Sequence, residues 1–476
     1  MANSYIQYHS IRGPLVFVGF GSIGRGTMPL VERHFIFDPK NVFVIDPNPQ
    51  VQEYISIKGV NYIHEELTIE NYKSVLDKIF INEGEGFCIN LSVDTSSRDL
   101  IQYCQQKNIL YVDTVIEEWK GFYSDTNTDI ALRTNYNLRE RLKKFRSETQ
   151  LNSTAVSCCG ANPGMVNWFV KQALLNLAKD LGILSKVPNS REEWAALMAY
   201  SKVKGIHIAE RDTQIILNKK PADEFWNTWS VEGFISEGFY QPSELGWGTH
   251  EKTIPLGAQF HSEGCKSAIY LNRPGMNTMV KTWCPTLGSQ YSFLVTHNES
   301  ISIADYFTLG DKDNPKYRPT CHYAYHPCDD AVISSLESIG KGQAHNKHYI
   351  YKENEILSGI DELGVLLYGH DKNAYWYGSQ LSNSDTIQLA PYQNATGLQV
   401  TSAVLAGMVW AIENPKKGLV DTDEMDFQRC LEVQAPYIQP VKGFYTDWNP
   451  LMNTFNKNDN SFDLEDPWQF SNILLN

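Results

Sequence analysis

"PLVFVGFGSIGRGTMPLVERHF", residues 14–35, opens as a short valine-rich apolar run and continues with apolar residues at helical spacing. The join is Gly19-Phe20-Gly21-Ser22-Ile23-Gly24. A strand turning into a helix through this pattern is a dinucleotide-binding fingerprint. The first glycine permits the tight turn, the second lets backbone approach a pyrophosphate, and the third lets helix and strand pack. The N–H groups from Ser22 and Ile23 onward, with the helix dipole, then hold the anion. "NVFVID" (41–46) reads as the next strand, and Asp46 ends it. It stands roughly 20 residues past the glycines, where an acid bonds a ribose 2′-hydroxyl and repels a 2′-phosphate. The "PNP" that follows brings no arginine, so the pattern favours NAD over NADP.

Working outward, "IENYKSVLDKIF" (69–80) is helical, "GFCINLSVD" (86–94) a strand, "SSRDLIQYCQQKN" (96–108) a helix and "ILYVDTV" (109–115) a strand. Alternation at this spacing predicts βαβ units on a parallel sheet, an α/β domain of Rossmann type over residues 1–160. Ligands of such sheets sit at strand ends. Ser92, Asp94 and Thr95, then Asp113, Thr114, Glu117 and Trp119, are therefore candidates for the cofactor wall. Asp94 and Thr95 have an equally ordinary use as caps of the next helix. Residues 127–147 read as one charged helix. "STAVSCC" (153–159) reads as a strand, with Cys158 and Cys159 as buried thiols. In "ANPGMVNWFVKQALLNLAKDLG" (161–182) Asn162 is placed as N-cap, Pro163 as the first helical residue and Gly182 as the stop.

From about residue 200 the texture changes to strands broken by Gly and Pro turns. This predicts an α+β domain over 161–395, with a mixed, mainly antiparallel sheet. "LQVTSAVLAGMVWAIENP" (398–415) is a last apolar helix. The segment 396–476 is expected to pack that helix back on the Rossmann domain and to end as an extended tail.

The 476 residues are 42% hydrophobic and carry a formal charge of −14, which argues against nucleic acid or an anionic membrane as partner and fits a cationic small molecule. Nine irregularly spaced cysteines suit a reducing compartment, and the N-terminal stretch lacks the apolar core of a signal peptide, so the expected location is the cytoplasm. "FWNTWSVEGFISEG" (225–238) sets Trp226 and Trp229 beside Glu232 and Glu237 on a stretch loosened by glycine and serine. Indole faces attract cations and carboxylates pair with them. "CHYAYHPC" (321–328) gathers two cysteines and two histidines, yet its spacing matches no standard zinc pattern, and no metal is expected.

Those blocks, with "NLSVDTSS", "SCCGANPGM", "GIHIAERDTQ", "HNESISIAD", "GHDKNAYWYGSQL" and "QNATGLQVTSAVLAGMVWA", closely resemble bacterial homospermidine synthases, from the N-terminus to the final "DPWQF". Wider relatives are the saccharopine dehydrogenase-like and carboxynorspermidine synthase-like enzymes, which share the turn seen here at Gly160–Gly164. The resemblance implies an aminobutyl transfer that joins two putrescines into homospermidine and releases ammonia. NAD would act as a prosthetic hydride carrier, spermidine as an alternative donor, and the enzyme as a homodimer. It implies Glu117, Asn162, Glu210, Trp229, Glu237, His297 and Glu299 as catalytic residues, with Asp94 and Glu232 as substrate contacts.

Each has a plainer reading as well. Asn162 could cap its helix, Glu210 could pair with Arg211 at the surface, and Trp229 could be ordinary core. His297 and Glu299 are expected on one face of a strand. Two other functions stand beside aminobutyl transfer: a reductive amination of the saccharopine type, and an NAD sensor without catalysis.

Overall fold

The computed structural model describes residues 5–452 and 462–475, apart from residues 57, 83 and 126. The chain forms two compact units. One comprises Met1–Asp125, Arg141–Met165 and Ser384–Ile438, the other Thr126–Glu140, Val166–Asn383 and Gln439–Asn476.

The first unit is built on a seven-stranded sheet. Its strands are β1 (Leu15–Val18), β2 (Val42–Ile45), β3 (Asn61–Ile63), β4 (Phe87–Asn90), β5 (Leu110–Asp113), β6 (Ala155–Ser157) and a late strand, Leu419–Asp421. The order across the sheet is β3-β2-β1-β4-β5-β6 and then the late strand, with every neighbour parallel. Strand order reverses between β1 and β4, the switch point at which doubly wound sheets take their ligands. The helices α1 (Ser22–His34) and α2 (Ser97–Lys107) follow β1 and β4. Gly19, after β1, has φ +82°, and a Cβ there would lie 2.7 Å from the Ser92 backbone after β4. Only glycine lets the two loops meet so closely.

The helix Ala395–Glu413 belongs to this unit. Gly407 leaves room for the Cys159 sulfur, and the Gln393 amide just before the helix donates to the Gly26 carbonyl at 3.2 Å. By length and composition the helix could cross a membrane, but 89% of its apolar window is buried inside the fold.

Residues 439–476, expected to share a segment with that helix, fall in the second unit. There Val441–Thr446 pairs with Asn373–Ser382. Residues 126–140 also lie there, tied in by the Asn135 amide on the Thr296 hydroxyl (3.0 Å) and by Arg139 on Asp305 (2.9 Å). The helix expected over 127–147 is instead a short 3-10 turn, Ile130–Arg133, held at its start by Asp129, followed by the helix Asn135–Glu148.

The second unit carries a ten-stranded sheet around β7 (Gly205–Asp212), β8 (Thr320–His326) and β9 (Ile360–His370). β7 pairs parallel with β8 and antiparallel with β9. The other pairings in this sheet are antiparallel. Side chains on β7 and β8 alternate between faces. On one face His207 and His322 lie 4.2 Å apart between ring centroids, and both are fully buried.

Burial disfavours their charged forms: it holds His207 well below the ordinary histidine value and His322 at about 3. The unfolded chain takes up these protons near pH 6.5 and the folded chain does not. Stability is therefore complete above about pH 6.5 and is lost as pH falls toward 3. Melting temperature should drop between pH 7 and pH 5. His322→Gln should flatten that slope by up to about 1.4 kcal/mol per pH unit, the value of one proton. An unchanged slope in the variant would show that His322 titrates normally in the fold.

Candidate active site

The dinucleotide fingerprint folds as its sequence implies. Gly21 stands just before α1 with no capping side chain, and among the described residues no atom beyond its chain neighbours lies within 4 Å of where its Cβ would be. Gly24 is packed instead: a Cβ would meet the Gly19 carbonyl at 2.9 Å and the Phe20 ring at 3.1 Å. The N–H groups of Ser22, Ile23 and Gly24 fall in the first turn, which has no intrahelical acceptors. Asp46 accepts the Phe20 N–H at 2.6 Å and the Asn48 N–H at 2.7 Å, so its carboxylate is aimed by the glycine-rich loop itself. Spare lone pairs remain for ribose hydroxyls. An open space at Gly21, free donors and an oriented acid fit a dinucleotide.

Around the switch point, the Ser92 hydroxyl donates to the Asn90 side chain at 2.7 Å. Asp94 has φ +62° and Thr95 is buried. Neither caps α2; that is done by Ser96, which accepts the Asp99 N–H. Asp113 is committed internally. It accepts from the Cys158 N–H (2.7 Å) and the Tyr111 hydroxyl (2.8 Å), and burial raises it to about 6. Thr114 lies against Gly160. Glu117 is buried, its backbone bonded in both directions to Ser97. The Trp119 indole donates to Asp99 at 2.6 Å.

Asn162 and Pro163 are not the start of a helix. The helix begins at Met165, and Gly160–Gly164 is a turn closed by Gly160 N–H to the Pro163 carbonyl (2.7 Å) and Met165 N–H to the Gly160 carbonyl (2.9 Å). Gly164, at φ +128°, stands between Asn162 and the first residue of the helix, Met165.

The second unit brings five of the sequence candidates together. Glu210 on β7 is buried, not paired with Arg211 at a surface; Arg211 reaches Asp329. "FWNTWSVEGFISEG" folds as the strand Glu224–Asn227, the short helix α3 (Val231–Ile235) and a π turn, Ser236–Tyr240. Such wide turns recur at functional sites, and this one carries Glu237. His297 and Glu299 are not on a strand. His297 immediately precedes the helix α4 (Asn298–Tyr306), and Glu299 lies in its first turn.

The His297 Nε2 lies 3.0 Å from Glu237 Oε2, and its Nδ1 lies 3.3 Å from Glu299 Oε1. Burial opposes charge on His297, but the Glu299 and Glu237 carboxylates outweigh it and hold the imidazolium well above the ordinary range. Glu299 is fully buried. Glu210 is raised to about 8, by burial first and then by Asp212 and Glu299, against the Tyr323 hydroxyl and His297.

Trp229 is half-buried, and its indole N–H donates to the Tyr325 hydroxyl at 2.9 Å. A Cβ on Gly233 would come within 3.1 Å of that indole, so the glycine clears its place. Trp226 is core. Glu232 stays outside the cluster, exposed and paired with His348 at 2.8 Å. Tyr323 and Tyr325 were not read from sequence as site residues. Their signal was the alternation in "HYAYH", taken there only as a question of metal ligands. One imidazolium thus faces three carboxylates, and the indole is joined to them through the stacked rings of Tyr325 and Tyr323, an arrangement that suits amine cations.

Residues 15–156 match the saccharopine dehydrogenase NADP binding domain, and residues 160–445 the saccharopine dehydrogenase C-terminal domain. A homospermidine synthase of Mesorhizobium japonicum is 58% identical over 481 residues, covering 100% of this chain and 99% of that protein. The chain belongs to the homospermidine synthase family. It is an enzyme. A second homospermidine synthase, from Blastochloris viridis, is 57% identical and covers 98% of each. The crystal structure of the homospermidine synthase of Legionella pneumophila in complex with NAD superposes with a TM-score of 0.91, at 42% identity and 98% coverage of both chains.

The contrast between the two glycines separates binding from folding. Gly21→Ala should leave the melting temperature unchanged, since the new methyl meets no protein atom, yet weaken NAD at least tenfold, about 1.4 kcal/mol. Gly24→Ala should lower the melting temperature as well, because its methyl collides with backbone. Calorimetric titration with NAD beside thermal melts reads both; full NAD affinity in Gly21→Ala would remove the cofactor from this turn.

Proposed function

We propose that the enzyme joins two putrescines into homospermidine with loss of ammonia, using NAD as a hydride carrier that is regenerated in each turnover, and that spermidine can replace the first putrescine as aminobutyl donor. The observation that carries this reading is the acid–imidazolium–indole cluster, in which Glu210, Glu299 and His297 are buried and Glu237 and Trp229 half-buried. A substrate bearing a carboxylate, as in saccharopine-type reductive amination, would need a free cation there. The cation beside Glu210 is His297, already flanked by two carboxylates. The domain name speaks of NADP, but Asp46 and the arginine-free "PNP" after it favour NAD.

When bound, NAD supplies a hydride acceptor and, later, donor. The protein supplies proton handling and cation binding. An alkylammonium has a pKa near 10, so an ordinary carboxylate is a poor base for it; Glu210 at about 8 narrows the gap to roughly two pH units. Glu210 takes the ammonium proton so that the amine can be oxidised to an imine. The second diamine attacks that carbon, ammonia leaves, and the new imine is reduced. The face of Trp229 stabilises the carbon–nitrogen centre whenever it is cationic, without accepting its proton. Glu237 binds the far nitrogen, His297 holds the Glu237 carboxylate in place, and Glu299 keeps His297 charged. Asn162, Glu117 and Asp94 are proposed to orient the carboxamide and amines, and Glu232 to receive diamine from solvent. A cytoplasmic homodimer completes the proposal; all nine cysteines are buried inside the fold, and their number and irregular spacing suit a reducing compartment.

With putrescine and a trace of NAD, homospermidine and ammonia should form in equal amounts and far exceed the NAD added, without accumulating NADH. NADH rising in step with product would make the protein a dehydrogenase. Trp229→Phe should retain part of the turnover. Trp229→Ala should lose nearly all of it while still folded and NAD-bound, since the cation–π contribution is about 0.5–2 kcal/mol and more in a dry site. Normal kcat in folded Trp229→Ala would end the role assigned to the indole.

A further inference from the structure

Cys321–Cys328, the stretch with four metal-ligand types, is a strand over most of its length, and the strand sends them apart. His322 packs on His207 and Phe470 on one face of the sheet. Tyr323 and Tyr325 rise together on the other, their rings stacked at 5.1 Å and 14°. Each tyrosine holds one of the amine-handling groups. The Tyr323 hydroxyl donates to Glu210 Oε2 at 2.6 Å, and the Tyr325 hydroxyl accepts the Trp229 indole N–H at 2.9 Å. The Tyr323 ring also lies 4.3 Å from the His297 ring. Phe234 closes the far side, against both Tyr325 and Trp229.

We propose that Tyr323 and Tyr325 are positioning residues for the aminobutyl transfer: Tyr323 aims and tunes the Glu210 carboxylate, Tyr325 fixes the indole of Trp229, and their stacking on one strand sets base and cation platform relative to each other. The inference rests on the amine-binding reading of this cluster.

The geometry separates the two roles. Glu210 is faced by Asp212 on its own strand, by Tyr323 and Tyr325 on β8, by His297 and Glu299 at the start of α4, and by Cys284 on the strand Met279–Cys284. Among these, Tyr323 and His297 favour the carboxylate, while burial, Asp212 and Glu299 disfavour it. Deleting the Tyr323 hydroxyl leaves the others in place and removes a donor to the charged form. Glu210 must be deprotonated to act, so the acidic limb of activity moves to higher pH. Tyr325 bonds the indole instead, so loss of its hydroxyl frees Trp229 to turn, which weakens diamine binding without moving that limb.

The test compares kcat/KM for putrescine against pH in NAD-loaded wild type, Tyr323→Phe and Tyr325→Phe, with melting temperatures on the same samples. In Tyr323→Phe the acidic limb should shift up by about one pH unit, with about tenfold loss below it and recovery at alkaline pH. In Tyr325→Phe the limb should stay, while KM for putrescine rises severalfold. If Tyr323→Phe does not fold, replacement of Tyr323 by a fluorotyrosine, a stronger donor, should move the limb the opposite way. An unmoved limb in either form of the Tyr323 test, or an unchanged KM in Tyr325→Phe, overturns the inference. Wild type that makes no homospermidine overturns the proposed function instead, and is read first.

Discussion

A buried imidazolium held between carboxylates is the interaction on which the catalytic cluster depends. His297 loses its hydration in the interior and would shed its proton there; Glu299 and Glu237 reverse that. Glu299 is equally unable to stand alone, being fully buried with His297 as its counter-charge. Removing one member of such a pair strands the other charge, typically at about 3–5 kcal/mol. The three residues come from a π turn and a helix start far apart in the chain, so the ion cluster also clamps these segments together. Glu210 inherits its basicity from the same surroundings, since burial and neighbouring acids raise it. An excess of acid over base is costly for a protein to bury, and a cationic substrate relieves it.

The first unit obeys a steric constraint instead of an electrostatic one. At the point where strand order reverses, the loops after β1 and β4 approach so closely that Gly19 admits no side chain, while Gly21 looks onto space that the protein leaves open. Asp46 then ties the end of β2 to the loop through the Phe20 N–H. Turn, helix start and acid are thus one hydrogen-bonded piece.

That piece was legible in the sequence because each part is local: strand, glycines, helix and acid lie within about 30 residues. The acid-aromatic cluster was legible only as residue types. Its geometry arises from tertiary contacts, and local rules misled at three places. His297 has no capping side chain bond, so the start of α4 carried no cap signal and its neighbours read as strand. Asn162-Pro163 carried a strong helix-start signal, yet Gly164 at positive φ places them in a separate turn. Asp94 and Thr95 looked like caps, but Ser96 one residue on takes that bond. Tyr323 and Tyr325 were visible as an alternating pair and lacked only the knowledge of which face held the acids.

The first unit is assembled from three separated stretches of chain, the last being Ser384–Ile438. During synthesis the glycine-rich turn and β1–β6 emerge long before the helix Ala395–Glu413 that covers Cys159 and Gly26, and before the edge strand Leu419–Asp421. At roughly 5–20 residues per second, the nascent sheet waits tens of seconds with that apolar surface uncovered. The second unit is translated meanwhile, and its own sheet stays open at one edge until Val441–Thr446 arrives. The first unit therefore has its whole chain only at Ile438, and the second only after that. A stop codon before Leu419 leaves both sheets short of an edge strand, so the closing stretch of the message is decisive for the folding of everything before it.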